Sequence, residues 1–346
     1  MQEKLRLNSR CGGSDIYVGK GMGRLPALTG GKRMLFLTDE KVYELYGNRF
    51  PEEDVIRIPQ GEQTKSLGRA TLLYQELIHR KADKASLLVA VGGGVITDLG
   101  GFVATTFQRG IGLAFVPTTL LAMVDAAIGG KNGVNVGDYK NMVGTIRQPE
   151  VILIDPSFLQ TLPRQEFISG LAEVVKYGLI SDPVILDLLE GKDADEVALD
   201  GELLAEIIGR SVRAKMRVVE EDEDDSGVRR ILNFGHTYGH GIERLHDLSH
   251  GRAVAYGMMV AMVLSEKLGL LESGVRERAM RILHRLELIP DIHPDNERVM
   301  EIITHDKKKR GDTIAFVLLR TPGATEIVPL TPEEIGRHLR EMRDEW

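Results

Sequence analysis

The chain of 346 residues has a single cysteine, Cys11. That excludes a disulfide framework and any zinc site built on thiolates, and it fits a reducing compartment. Positive charge is not in excess: 44 Lys and Arg stand against 51 Asp and Glu, a formal net charge of −7. This balance argues against general nucleic-acid binding, yet it leaves room for a local basic pocket that takes an anionic small molecule. No uninterrupted apolar run is long enough to span a bilayer, and the start MQEKLRLNSR lacks the apolar core of a signal peptide. Internal repeats and low-complexity linkers are also missing. What is present, 42% hydrophobic and 27% charged residues, is the balance of a globular protein. A cytoplasmic enzyme with no nucleic-acid or membrane partner is expected, and the length suggests two domains.

The first half alternates short apolar runs with helical patterns. RMLFLTD (33–39), DVIRIP (54–59), SLLVAVGGG (86–94), IGLAFVPTT (111–119) and VILIDP (151–156) read as buried strands. The stretches 70–83 and 97–110 between them read as helices. This alternation predicts an α/β layer structure with a largely parallel sheet, a Rossmann-like N-terminal domain over 1–156. After that the pattern changes. Stretches 164–180, 203–222, 253–271 and 276–288 have helical periodicity, so 157–346 is expected to be mainly α-helical. TIAFVLL and ATEIVPL read as a hairpin around TPGA, and a closing helix begins at a capping box of Thr331 and Glu334 with Pro332 at its first position. The acidic run EEDEDD (220–225) reads as a solvated turn.

Four stretches could carry chemistry. In SLLVAVGGGVITD a buried strand ends at Gly92, Gly93 and Gly94 and a helix follows; the pattern suits phosphate or dinucleotide binding at a helix N-terminus, or else a tight strand-to-helix turn. In FVPTTLLAMVDAAIGGKNGVN another strand ends at Thr118 and Thr119. Asp125, two glycines and Lys131 follow, with Lys140 beside Asn141 further on. Lysines beside glycine turns suit phosphate or carboxylate, although each alone reads as a surface residue. In SGLAEVVKYG, Glu173 and Lys176 share a helix face in an apolar stretch. A carboxylate there needs a partner, a metal or simply the lysine. Last, ILNFGHTYGHGIE holds His236 and His240. If 229–240 form one continuous helix, Arg229, Asn233, His236 and His240 fall within roughly 60° of arc. HxxxH without the Glu of HExxH is not diagnostic of a metal. Two histidines with one buried glutamate nevertheless make an open Zn²⁺ set, and His246 and His250 lie close by in sequence.

Taken in order, QGEQTKS (60–66), GGGVITDLGGFVA (92–104), PTTLLAMVDAAIGGKNGVN (117–135), YKNMVG (139–144), GLAEVVKYG (170–178), LNFGHTYGHGIE (232–243), HGRAVAYGM (250–258) and DKK (306–308) resemble the 3-dehydroquinate synthase family over nearly the whole chain. The resemblance implies the family fold, an NAD-binding α/β domain followed by a mostly helical metal- and substrate-binding domain. It implies catalytic NAD, a Zn²⁺ or Co²⁺ ion, and conversion of a phosphorylated sugar acid, 3-deoxy-D-arabino-heptulosonate 7-phosphate, to 3-dehydroquinate in the shikimate pathway of aromatic amino-acid biosynthesis. Carried over by position, the metal ligands are Glu173, His236 and His250. The NAD contacts are Asp39, Gly61, Glu62, Lys65, Gly93, Gly94, Val95, Asp98, Thr118, Thr119, Lys131, Lys140, Phe158 and Thr161. The substrate contacts are Arg109, Asp125, Lys131, Asn141, Lys176, Lys215, Arg229, Asn233, His240, Lys307 and Lys308. Catalytic roles fall to His240, Lys176, Asp125 and Asp225. Arg109 reaches a neighbouring subunit's site, so a homodimer is implied. Two positions depart from the common pattern: Arg252 stands where the family usually has Glu, and Asp225 stands where it usually has a longer acid.

Overall fold

The computed structural model describes residues 3–10, 12–19, 21–51, 53–137, 139–307 and 313–341. Its strands are β1 (Glu3–Leu7), β2 (Ser14–Val18), β3 (Met34–Asp39), β4 (Val55–Ile58), β5 (Leu87–Gly92), β6 (Gly112–Pro117), β7 (Lys131–Val136), β8 (Tyr139–Ile146), β9 (Val151–Ile154), β10 (Ile314–Thr321) and β11 (Ala324–Leu330). The helices are α1 (Leu25–Leu28), α2 (Glu40–Tyr46), α3 (Leu67–His79), α4 (Gly94–Thr106), α5 (Arg164–Ile180), α6 (Val184–Leu189), α7 (Ala194–Leu199), α8 (Gly201–Glu221), α9 (His236–His246), α10 (His250–Lys267), α11 (Val275–Arg285), α12 (Asn296–Lys307) and α13 (Pro332–Glu341). Among the described residues, no helix is long and apolar enough to cross a membrane.

The chain forms two compact units, Met1–Phe167 with Leu204–Asp224 and Ile168–Leu203 with Asp225–Trp346. This division is more interleaved than a single boundary after residue 156. Helix α8 and the residues just after it account for most of the difference, because several of their polar side chains pair within the first unit. Lys215 Nζ pairs with Asp125 Oδ1 at 2.8 Å, Glu220 accepts the Asn8 backbone N–H, and Glu223 accepts that of Arg10. The acidic run is therefore only partly solvated. Asp222 and Glu223 are buried, and the N-terminal loop supplies donors for Glu220 and Glu223.

The first unit is built on a seven-stranded sheet of order β1-β2-β9-β6-β5-β3-β4. Only β1 is antiparallel to its neighbour; all other pairings are parallel. Strands β5 and β6, LLVAVG and GLAFVP, are buried throughout, as expected of parallel strands covered on both faces. From β3 the chain steps outward to β4, then returns to the other side of β3 to form β5 and β6. A crevice therefore opens beyond the carboxyl ends of β3 and β5, the usual place for a ligand in such a sheet. Asp39 ends β3, and Gly92 and Gly93 follow along β5. Beside this sheet, β7 and β8 form an antiparallel hairpin.

The second unit is mainly helical. Its buried axis is α10, most of whose residues are inaccessible to solvent. The hairpin β10–β11 pairs from Ile314↔Leu330 to Thr321↔Ala324. Thr331 and Glu334 close the expected capping box: the Thr331 N–H donates to Glu334 Oε2 at 2.8 Å, and the Glu334 N–H donates to Thr331 Oγ1 at 3.2 Å.

Candidate functional site

In the second unit, three helices bring their side chains to one point because glycine lets them approach closely. A Cβ on Gly251 would lie 2.1 Å from Ser169 O, so only glycine allows the start of α10 to press against α5. On the other flank, a Cβ on Gly257 would lie 1.8 Å from Gly235 O, and one on Gly239 would lie 2.8 Å from Ala253 O. Glycines on both α9 and α10 thus set their crossing. Gly235 adopts φ +79° and starts α9 at His236, while residues 228–233 form a separate 3₁₀ turn. The continuous helix over 229–240 is therefore not formed. The turn at Gly235 breaks the stripe, leaving Arg229 and Asn233 on the 3₁₀ turn and His236 and His240 on α9.

The result is a cluster of Glu173 from α5, His236 from α9 and His250 from the first turn of α10. Each offers one ligand atom, all within 4.8 Å of one another. His236 Nε2 lies 3.4 Å and His250 Nε2 3.7 Å from Glu173 Oε1. Glu173 is fully buried, and its other oxygen pairs with Lys176, itself buried at 1% exposure. A buried carboxylate needs cationic partners, and two imidazoles with one carboxylate is a donor set of the catalytic zinc type, which leaves a position open. The residues therefore fit a divalent transition metal.

The electrostatics agree with that fit. Burial, reinforced by the charge of Lys176, pushes His236 down to about 3, so its ring is neutral, the form that ligates. Burial also opposes charge on His250. Hydrogen bonds and charge from Glu173 and Glu243 outweigh it and push His250 up to about 9. A divalent cation would displace that one proton. His250 Nδ1 lies 3.2 Å from Glu243 Oε2, an arrangement that fixes the ring and leaves Nε2 facing Glu173. Glu243 is a neighbour of the cluster that the sequence alone does not single out. It lies inside the stretch LNFGHTYGHGIE, but only the fold shows that a residue seven positions before His250 orients its ring. His240 sits one turn beyond His236, exposed, with ring centroids 5.4 Å apart.

The first unit carries the positions expected to hold NAD. Strand pairing sets Gly92 opposite Pro117, which brings Gly93 and Thr119 together. A Cβ on Gly93 would meet Thr119 Cγ2 at 3.0 Å. Gly94 and Val95 open α4, with their N–H groups at its free end. Asp39 caps α2 by accepting the Val42 N–H at 2.9 Å, and burial raises its carboxyl above the usual range. Gly61 (φ +105°) and the 3₁₀ turn from Glu62 lead to buried Lys65, whose ammonium pairs with Asp98 Oδ2 on α4 at 2.5 Å. Burial holds the Asp98 carboxyl up, with Lys65 opposing. Asp125 lies in a single π-helical turn, Ala122–Ala126, where Lys215 also donates to its backbone carbonyl at 2.5 Å. Such turns are common at functional sites, and this one went unseen in the sequence.

Other expected contacts are placed less directly. Phe158 is buried edge-to-face on Tyr46 at 4.7 Å, so its side chain serves the core; Thr161 Oγ1 shares a 2.6 Å hydrogen bond with the Tyr46 hydroxyl. Lys131, Lys140 and Asn141 lie exposed on the β7–β8 hairpin. Arg109 is exposed in a sharp turn where Gln108 and Arg109 both have positive φ, +48° and +64°. Arg229 is buried, and Asp225 precedes it with φ +56°. Lys308 and the side chain of Lys307 fall outside the described residues.

Comparison with known proteins shows the family. The family model described as 3-dehydroquinate synthase N-terminal matches residues 55–169, and the one described as 3-dehydroquinate synthase C-terminal matches residues 170–309. A curated 3-dehydroquinate synthase of Alkaliphilus metalliredigens is 39% identical, over 97% of this chain and 98% of its own. Among solved structures, 2-epi-5-epi-valiolone synthase of Streptomyces hygroscopicus, with NAD⁺ and Zn²⁺ bound, superposes with TM-score 0.85 at 28% identity over 96% of this chain and 97% of that one. A 2-deoxy-scyllo-inosose synthase complexed with carbaglucose-6-phosphate, NAD⁺ and Co²⁺ gives TM-score 0.85 at 25% identity over 99% of each chain. With both family models matched end to end across 55–309, the chain belongs to the 3-dehydroquinate synthase family.

Proposed function

We propose that this chain converts 3-deoxy-D-arabino-heptulosonate 7-phosphate to 3-dehydroquinate and phosphate with catalytic NAD and a divalent metal, Zn²⁺ or Co²⁺, as a cytoplasmic enzyme of the shikimate pathway. The observation that carries the reading is the Glu173, His236 and His250 donor set in a chain matched by both family models. Bound NAD⁺ would supply reversible hydride acceptance at the substrate's secondary alcohol, and a metal held by Glu173, His236 and His250 would supply polarisation of the oxygen concerned. The chain's own residues hold and orient. Asp39, the 61–65 turn, Gly93, Gly94, Val95, Asp98, Thr118 and Thr119 take the nucleotide, with Lys140 and the 3₁₀ turn bearing Phe158 and Thr161. Lys131, Asn141 and Arg109 take the substrate phosphate. Lys215, Arg229 and Asn233 are assigned to the sugar acid and its carboxylate, and the tail lysines 307 and 308 to the same ligand. Lys176, Asp125, Asp225 and His240 are assigned to charge balance and proton movement.

Incubation with the heptulosonate phosphate, NAD⁺ and metal should release phosphate with no net rise of NADH absorbance. A product of the mass of dehydroquinate is expected. Stoichiometric NADH would point instead to a polyol dehydrogenase, and turnover only of a heptulose or hexose phosphate lacking the carboxylate would point to another sugar-phosphate cyclase.

The same reading makes the enzyme a homodimer. Tyr139, Met142, Val143 and Ile146 are apolar yet 37–66% exposed on one hairpin. Exposed apolar side chains in such number on one hairpin suit a subunit interface. The Arg109 turn adjoins it, since a Cβ on Gly110 would lie 2.6 Å from Arg147. Arg109→Ala is expected to weaken substrate binding, and mixing it with a second site variant should restore part of the activity if the guanidinium serves the partner. Absence of restoration in a preparation shown to exchange subunits would assign Arg109 to its own site.

A further inference from the structure

Asn135 is a position to which the family reading assigns nothing. It sits at the irregularity of the β7–β8 hairpin, where the ladder shifts between Val134 and Val136. A bulge of this kind re-aims a side chain and releases backbone groups from the ladder. Here the released N–H of Asn135 donates to Lys65 O at 2.8 Å, and Asn135 bridges in parallel to Ser66. Its side chain then makes two contacts in different directions. Nδ2 donates to Glu62 Oε1 at 2.8 Å, and Oδ1 accepts the backbone N–H of Asn141 at 2.9 Å. An amide meets both needs at once, because one partner is a carboxylate and the other an N–H. Asn141 has φ +57°, a left-handed conformation that asparagine tolerates, and the bond to Asn135 holds it there.

The contacts form one chain. Asp98 on α4 holds Lys65, the 61–65 turn carries Glu62, and Asn135 links that turn to Asn141. We infer that Asn135 is a positioning residue that sets the 61–65 turn and Asn141 in one register and so couples nucleotide binding to binding of the substrate phosphate. The inference rests on the nucleotide and phosphate assignments proposed above. Both side-chain hydrogen bonds of Asn135 are solvent-accessible, so single losses are modest, about 3- to 10-fold, while coupling between sites acts on both ligands reciprocally.

Two variants separate this role from simple support of the hairpin. Asn135→Leu keeps the size and removes both side-chain bonds. Calorimetric titration of the metal-loaded enzyme with NAD⁺ should show about 3- to 10-fold weaker binding, and KM for the heptulosonate phosphate should rise by a similar factor with kcat little changed. Asn135→Asp keeps the acceptor for Asn141 but sets a second carboxylate against Glu62. NAD⁺ binding should then weaken at least as much, while KM for the sugar acid at saturating NAD⁺ stays within about 2-fold, well under the value of one hydrogen bond. The inference is overturned if the Leu variant binds both ligands as wild type, or if both variants lose both ligands to the same extent. Asp39→Ala serves as the control for the nucleotide assignment. If it binds NAD⁺ normally, that assignment itself fails; if it weakens NAD⁺ while the Asn135 variants do not, only the role of Asn135 falls.

Discussion

His236→Ala is expected to strip the enzyme of its divalent metal and, with the metal, of its turnover. His236 supplies one of three donor atoms within 4.8 Å of one another, and it is the less exposed of the two ligating imidazoles, 14% against 32% for His250. Its ring is already neutral, so a metal need not compete with a proton there. Alanine leaves one carboxylate and one imidazole, too few for a site that needs three protein ligands. The loss should exceed the roughly 10- to 100-fold typical of residues that only orient a ligand. Glu243→Gln gives the contrast. It keeps an acceptor near His250 Nδ1 but removes the charge, so metal affinity should fall by about 10- to 100-fold, with activity regained in excess metal. Metal content by atomic emission and phosphate release, measured on the same preparations and after chelation, decide the matter. A His236→Ala protein that keeps both its metal and its rate would show that the ligands lie elsewhere.

How far the site could be read from the sequence follows from how local its causes are. Buried strands such as LLVAVG and GLAFVP show themselves as apolar runs closed by glycine or proline, and helix α5 matches its periodic stretch end to end. The donor set was also legible, because a glutamate in an apolar helix and histidines in a glycine-rich stretch are local anomalies. The break at Gly235 was not, since its cause is non-local. A side chain there would meet Met258 and Val254 O at 2.6 Å, and nothing in residues 229–240 announces that α10 passes so close. The acidic run is only partly the solvated turn it reads as, for the same reason. Glu220 and Glu223 accept backbone N–H groups of the N-terminal loop more than 200 positions away. The register shift opposite Asn135 and the π turn at Asp125 are local departures from ideal geometry, and a periodic pattern carries no trace of them.

His240→Ala should keep the metal and NAD⁺ yet lose most of the turnover. His240 lies on α9 one turn after His236, with ring centroids 5.4 Å from His236 and 6.1 Å from His250. It is absent from the Glu173 donor set. It is also exposed, whereas Glu173 is fully buried, so its imidazole is open to solvent. An imidazole placed beside a metal centre without ligating it can carry a proton to or from the substrate, work that general acid–base groups perform at about 10²- to 10⁴-fold in rate. A loss of about 10²-fold in kcat is therefore expected. One rival role has a structural basis: His240, Glu243 and His250 also place donor atoms within 4.8 Å of one another. If His240 were a ligand through that second grouping, alanine would lower metal content together with the rate. A third possibility is that the ring only covers the end of α9, in which case turnover would stay within a few-fold of wild type. Metal content, NAD⁺ affinity and kcat measured on one His240→Ala preparation tell the three apart, and only retained metal and retained NAD⁺ with a collapsed kcat support the proton-transfer role.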